Sequence, residues 1–166
     1  EVPTVAEFGS RISNIEKRYP WLVCEIDGQI VGYAYASQFN ERTAYDWTVD
    51  VSVYVHPDYQ RKKIAVALYS CLFELLKLQG FYSICAIITA SNKRSLNFHQ
   101  AFGFKTAGHY QNIGYKFDQW LDVEWLSLVI GNFNKPPQKP KSIQDIKGTP
   151  EFDLALSKAL EWIEKF

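Results

Sequence analysis

The sequence has 166 residues, of which 47% are hydrophobic and 16% aromatic, enough for one domain with a real core. Lysine plus arginine and aspartate plus glutamate both number 18, so the net charge favours neither nucleic acid nor a membrane surface as a partner. The chain lacks an apolar run long enough to span a bilayer, and its first residues lack the order of a secretory signal. Its three cysteines lie among apolar residues, which predicts reduced core thiols in a cytoplasmic protein and no metal site.

The first half of the chain alternates helix and strand patterns that end at clear breaks. A helix stops at Pro20, a hairpin turn falls at Asp27-Gly28, and a long amphipathic helix is closed by Gly80. The predicted elements are a helix over 4–19, strands over 20–26, 29–37 and 45–55, and a helix over 64–79.

The second half continues with a nearly all-apolar strand, as expected for a strand covered on both faces. A turn is predicted around Asn112 and Gly114. The predicted elements are a strand over 81–89, a helix over 92–102, and strands over 104–110 and 115–130. This order indicates an α+β fold in which the helix over 64–79 joins two parallel strands.

The tail differs in composition from the rest of the chain. Residues 132–147 are rich in proline and lysine and are predicted to be a semi-rigid linker. Thr149-Pro150 then begins an amphipathic helix over 148–166. Its apolar stripe is expected to dock on the domain, the alternative being a partner-binding or dimer helix; the stripe consists of Phe152, Leu156, Ala159, Ile163 and Phe166.

A strand at Val53-Tyr54-Val55 feeds a tight turn and then a helix. The unpaired N–H groups at a helix N-terminus suit a pyrophosphate, and three basic side chains add positive charge. The turn and first helical residues are Gln60, Arg61, Lys62, Lys63, Ile64 and Ala65. Taken alone, a basic first turn is more often a solvated surface.

A second segment, residues 92–104, follows the buried strand and ends in Phe-Gly-Phe. With the turn described above, it resembles the acetyl-CoA core of the GNAT N-acetyltransferases, and several segments resemble the phosphinothricin acetyltransferase branch. Those segments include Tyr19-Pro20-Trp21, Ala44-Tyr45-Asp46-Trp47-Thr48, Gln79-Gly80-Phe81 and Trp120-Leu121-Asp122-Val123. The resemblance implies the GNAT acyl-CoA N-acyltransferase fold, a mixed, mostly antiparallel sheet with splayed central strands flanked by helices.

The resemblance also implies a place for acetyl-CoA. The pantetheine arm would lie between the splayed strands, bound by the backbone of Val53 and Val55, with Tyr54 between them. Residues 60–65 would wrap the pyrophosphate, and Asn92 would hydrogen-bond the pantetheine arm. No metal is expected.

Acetyl transfer to an amine requires a base for the amine and benefits from an acid for the leaving thiolate. The family carries a glutamate as base at the position of Asp50, a shorter acid that could act through water. His99 stands where this branch places a histidine that could donate or relay a proton. The alternatives remain open: Asp50 could be a surface carboxylate, and His99 a hydrogen-bonded residue that supports the fold.

The acceptor implied by the branch is the primary amine of a small amino-acid-like molecule, such as phosphinothricin or methionine sulfoximine. Arg42 or Lys116 would meet its carboxylate, and Tyr45 would shape the pocket. A homodimer is expected from the resemblance and from exposed-looking aromatics such as Trp120 and Trp125.

Several departures from the family keep a second function open, that of a catalytically weak CoA-binding or protein-interaction module. Lys63 and Ala65 replace two glycines of the phosphate turn, and Asp50 replaces the glutamate. The domain over 1–131 is expected to lack the family's first strand and helix, and the C-terminal helix is additional.

Overall fold

The computed structural model describes residues 2–163, which form one six-stranded sheet with helices on both faces. The strand order is β1-β2-β3-β4-β6-β5, and every neighbouring pair is antiparallel except β3 and β4, which are parallel. The helices are α1 (Val5–Ile15), α2 (Ile64–Gln79), α3 (Lys93–Ala101), α4 (Ile143–Ile146) and α5 (Pro150–Leu160). The strands are β1 (Trp21–Ile26), β2 (Gln29–Gln38), β3 (Thr48–Val55), β4 (Ser83–Thr89), β5 (Lys105–Lys116) and β6 (Gln119–Val129). The predicted α+β class is confirmed.

Helix α2 forms the centre of the core. It connects the parallel strands β3 and β4, as the order of patterns predicted, and it ends at Gly80, whose φ of 92° is left-handed. Leu72 and Leu76 are fully buried against the sheet, while Leu75 is fully buried on the side facing the tail. Burial of each such side chain stabilises the fold by roughly 1.5–3 kcal/mol. This packing holds α2, and therefore the turn before it, in a defined position on the sheet.

The last two strands form one longer hairpin than the sequence predicted. The turn expected around Asn112 and Gly114 is wrong: β5 continues to Lys116, and the chain reverses at Phe117 and Asp118. Both turn residues have positive φ, 54° and 56°, as a two-residue hairpin turn requires. Asn112, with φ 51°, instead lies where the pairing register shifts, and its N–H donates to the Asp122 carboxylate at 2.8 Å.

The tail packs on the domain. The predicted linker contains α4, which begins with a capping box between Ser142 and Asp145 and buries Ile143 and Ile146. Helix α5 then packs along α2, so the predicted docking is confirmed. Its buried face includes Ala155, which the predicted stripe did not contain.

Leu156 of that predicted stripe is 37% exposed. Phe152, Ala159 and Ile163 do pack inward, whereas Phe166 lies outside the described residues.

Candidate active site

The two parallel strands separate after three residue pairs and leave a cleft. Strands β3 and β4 pair only from Thr48 and Ser83 to Asp50 and Cys85. Beyond that fork their remaining residues diverge around a cleft of about 520 Å³. The ends of α2 and α3 close it, since Gln60, Ala65, Asn92 and His99 line it with the strands.

Free peptide groups of β3 face this cleft. The carbonyl of Trp47 accepts hydrogen bonds from Tyr82 and Ser83, on the β4 side, whereas the N–H of His56 donates to Val31 of β2. Because peptide groups alternate sides along a strand, those of Val53 and Val55 point away from β2 and into the cleft. An extended ligand could therefore pair with β3 as an additional strand.

The turn before α2 presents its backbone at the mouth of the cleft. Arg61 and Lys63 have left-handed φ values of 65° and 56°, and Lys63 is the N-cap of α2 without a side-chain cap. Such a turn collects N–H groups at the positive end of a helix, which suits phosphate oxygens.

The side chains of this turn point in different directions. Ile64 is buried in the core, so only its N–H is available to a ligand. Lys62 and Lys63 hold their ammonium groups over the rings of Tyr59 and Trp162, at 4.7 and 5.5 Å from the centroids.

Asn92 lies at the start of α3. Its carboxamide oxygen caps the helix by accepting from the N–H of Ser95 at 3.1 Å. Its NH₂ group has no partner among the side-chain bonds of residues 2–163 and lies where it can donate to a ligand in the cleft.

Asp50 occupies the vertex of the fork, opposite Cys85. The side chains of Ile84 and Ala86 face the core, so Asp50 and Cys85 point to the other face of the sheet. Burial raises the pKa of Asp50 from its ordinary value to about 6. Its buried Oδ1 has no hydrogen-bond partner within the described chain. Burial, and then the charge of Asp50, raises the pKa of the Cys85 thiol to about 11, so that neighbour stays neutral.

His99 is buried, with 3% of its surface exposed, and both ring nitrogens have partners. Nδ1 lies 2.8 Å from the carbonyl oxygen of Ser95, and Nε2 lies 2.9 Å from the hydroxyl of Tyr69. Because the carbonyl can only accept, Nδ1 carries a proton, and in the neutral ring Tyr69 donates to Nε2. Burial lowers the pKa of His99, opposed by the bond to Ser95.

Tyr69 is the residue that the sequence reasoning missed. It is fully buried in α2, and its hydroxyl reaches the cleft wall beside His99. Burial raises its pKa far above the usual range. A tyrosine on the apolar face of a helix was the available signal, since a buried phenol requires a polar partner.

The three predicted acceptor residues lie outside the cleft. Tyr45 belongs to a short 3₁₀ turn over Thr43–Tyr45 and contacts Phe39, whose ring lies 6.0 Å from that of Trp125. Arg42 precedes the same turn and is exposed.

Lys116 lies at the tip of the β5–β6 hairpin. Its partner Gln119 is about 25 Å along β6 from Ser127, the residue level with Cys85 and Asp50, at ~3.3 Å per residue. The structure therefore does not bring Lys116 to Asp50 within one chain.

The left-handed backbone of Lys63 gives a stability prediction. A side chain in this conformation costs about 1 kcal/mol relative to glycine. Lys63→Gly and Lys63→Ala lose the same charge and the same contact with Trp162, but only alanine keeps the Cβ. We expect Lys63→Gly to be about 1 kcal/mol more stable than Lys63→Ala in urea unfolding; equal stabilities would contradict the strain.

Two comparisons place this cleft in a known family. Residues 1–125 match the family model described as an acetyltransferase (GNAT) domain. The chain belongs to the GNAT acetyltransferases. Phosphinothricin N-acetyltransferase of Streptomyces viridochromogenes is 39% identical over 123 residues, covering 74% of this chain and 67% of the relative. An L-methionine sulfoximine/L-methionine sulfone acetyltransferase of Salmonella typhimurium is 32% identical over 118 residues, 71% of this chain and 69% of the relative.

A solved relative of this GNAT enzyme contains the co-substrate. The phosphinothricin acetyltransferase of Sinorhizobium meliloti, in complex with acetyl-CoA, superposes with a TM-score of 0.78 at 34% identity and covers 84% of this chain and 77% of its own. The predicted family, fold and co-substrate are confirmed: the protein is an acetyl-CoA-dependent N-acetyltransferase with the GNAT fold. The fork of β3 and β4 is the splayed pair of central strands expected from the sequence.

Residues 2–163 lack two further features. No helix there is both long and apolar enough to cross a membrane. No three histidine, cysteine, aspartate or glutamate side chains of that range are grouped to hold a metal ion.

Proposed function

We propose that this GNAT enzyme transfers the acetyl group of acetyl-CoA to the primary amine of a small amino-acid-like acceptor, with Asp50 as the general base. The observation that carries the proposal is the position of Asp50 at the vertex of the fork, with a buried carboxylate oxygen that has no hydrogen-bond partner among residues 2–163. The Asp50 carboxyl, with its pKa raised to about 6, is ionised at neutral pH and still basic enough to take a proton.

The reaction then follows from the arrangement of the cleft. The pantetheine arm pairs with Val53 and Val55, which brings the thioester to the fork, and Asn92 donates to the arm. Asp50 removes a proton from the acceptor ammonium, directly or through a water. The free amine attacks the acetyl carbon, the C–N bond forms, and a β3 peptide N–H stabilises the oxyanion. The C–S bond then breaks, the thiolate leaves, and the nitrogen releases its second proton to solvent to give the neutral amide.

His99, the proposed acid, is inferred to act through Tyr69. When His99 is protonated, both nitrogens donate, Nδ1 to Ser95 and Nε2 to the Tyr69 oxygen. The hydroxyl proton of Tyr69 is then free to turn toward the cleft. The thiolate takes that proton, the resulting phenolate takes a proton from Nε2 of His99, and the neutral His99 regains a proton from solvent before the next turnover.

The proposed acceptor class rests on the relatives, which are named for phosphinothricin and for methionine sulfoximine or sulfone. An aromatic group on the Asp50 face, formed by Phe39, Tyr45 and Trp125, would border the acceptor. Arg42 is the cation proposed to bind the carboxylate of the acceptor, because Arg42 immediately precedes the turn that contains Tyr45.

A thiol-release assay tests this function. The protein is mixed with acetyl-CoA and a panel containing phosphinothricin, methionine sulfoximine, ordinary L-amino acids and simple alkylamines. We expect CoA release with the amino-acid-like acceptors, an N-acetyl product by mass spectrometry, and little release with alkylamines. Acetyl-CoA binding without release for any amine would instead favour the CoA-binding-module function.

We also propose a homodimer that acts in the cytoplasm. The hairpin tip exposes Tyr115, Phe117 and Trp120, the last at 63%, which favours an interface. The three free thiols suit a reducing compartment. Sedimentation at micromolar concentration is expected to give a dimer that Trp120→Lys converts to monomer; a monomeric parent protein would contradict the proposal.

A further inference from the structure

Five cations surround the mouth of the cleft, at the starts of α2 and α3. They are Arg61, Lys62, Lys63, Lys93 and Arg94. Among them, only Arg94 has a side chain that lines the cleft. Lys62 and Lys63 extend over aromatic rings instead. The charge that meets a ligand inside the mouth therefore comes from α3.

The environment of Arg94 suits an anion. Its Nη1 donates to Oε1 of Gln60, across the cleft and on the turn before α2. In residues 2–163 no carboxylate oxygen lies within 4.0 Å of its guanidinium. Arg94 is also the second residue of α3, where the helix dipole disfavours a cation. The Arg94 guanidinium thus contacts a neutral amide, that of Gln60, and lies near other cations, so its charge is available to an anion.

We propose that Arg94 binds the diphosphate of acetyl-CoA from the side opposite the α2 N-terminus, with Gln60 holding the guanidinium in position. The inference rests on the proposed place of the diphosphate at residues 60–65. A guanidinium presents two parallel N–H groups that match phosphate oxygens, and the α2 amides approach from the other wall. The diphosphate is then held between the N-terminal ends of α2 and α3, both of which lie at the cleft mouth.

Calorimetry on the full chain tests this with three ligands: CoA, dephospho-CoA, which lacks the 3′-phosphate, and pantetheine, which lacks every phosphate. Arg94→Gln is compared with Lys93→Gln, because Lys93 is the adjacent, equally exposed cation and does not line the cleft. Because a charge-assisted hydrogen bond to the diphosphate is lost, Arg94→Gln should weaken CoA and dephospho-CoA equally, by roughly 10–100-fold. Pantetheine should bind within about twofold, and Lys93→Gln should change every ligand less than about threefold.

Each other result overturns the proposal. Weakened CoA with unchanged dephospho-CoA assigns Arg94 to the 3′-phosphate, and equal weakening of all three ligands assigns it to the shape of the cleft. No weakening removes it from the site. If the parent protein binds pantetheine as tightly as CoA, the diphosphate position at residues 60–65 fails, and that failure is visible before any variant is compared.

Discussion

Asp50→Asn is expected to lower kcat for acetyl transfer by about 10²–10⁴-fold while the Kd for acetyl-CoA changes less than about threefold. The amide has nearly the same shape but cannot accept the proton of the acceptor ammonium. Asp50 lies at the last position of β3 that pairs with β4, and the peptide groups of Val53 and Val55 that face the cleft lie beyond it. The backbone contacts to the co-substrate should therefore survive the substitution.

The matched variant is Asp50→Glu, which keeps the carboxylate and introduces the glutamate that the family resemblance implies at this position. It should retain turnover within about tenfold. Equal losses in both variants would mean that position 50 tolerates only the native shape, and turnover within twofold for Asp50→Asn would exclude it as the base.

The same substitution should stabilise the fold at neutral pH. Burial raises the pKa of Asp50 to about 6, so the folded protein loses stability as the pH rises from about 4 to 6 and this group ionises. Asparagine does not ionise, and Asp50→Asn should gain on the order of 1–2 kcal/mol at pH 7 after allowance for solvent screening. The gain should vanish near pH 4, as urea unfolding at the two pH values can establish.

Tyr69→Phe and His99→Phe are each expected to lower kcat by about 10²-fold, and the double variant should lose no more than either single one. The reason is that the proposed relay passes one proton through both residues, from Nε2 of His99 to the hydroxyl 2.9 Å away. Either removal breaks the same path. The kcat values of the four proteins at saturating acetyl-CoA form the required cycle.

Each single variant leaves one buried polar group unpaired, which costs about 1–3 kcal/mol of unfolding free energy. Thermal unfolding must therefore show that the variants are folded at the assay temperature. If the two losses multiply in the double variant, the residues act independently. If both losses stay within twofold, the pair only supports the packing of α2 and α3.

The sequence predicted correctly those elements whose ends carry a residue that is typical of such an end. Helix α2 was placed correctly because its apolar face is continuous and Gly80 supplies the left-handed residue at its end. The β5–β6 turn was misplaced because Phe117 and Asp118 adopt positive φ without a glycine, whereas Asn112 and Gly114 carry turn residues at a bulge.

The site was predictable where backbone geometry determines it and less so where burial does. A strand, a turn and a helix N-terminus can be read from residues 53–65, and the family resemblance singled out Asp50 and His99, whose catalytic roles stay predictions. The hydrogen bond between His99 and Tyr69 joins residues on α2 and α3, and no local pattern encodes it. The raised pKa of Asp50 likewise depends on the packing around the fork.

The pH dependence of kcat/KM, measured for the parent protein and for Asp50→Asn, tests the role of Asp50 most directly. A base must be ionised to act, so the activity of the parent should rise tenfold per pH unit below an apparent pKa near 6. Asp50→Asn should lose that limb and keep a low, flatter rate. A parent profile without a limb between about pH 5 and 7, or the same limb in Asp50→Asn, would contradict Asp50 as the general base.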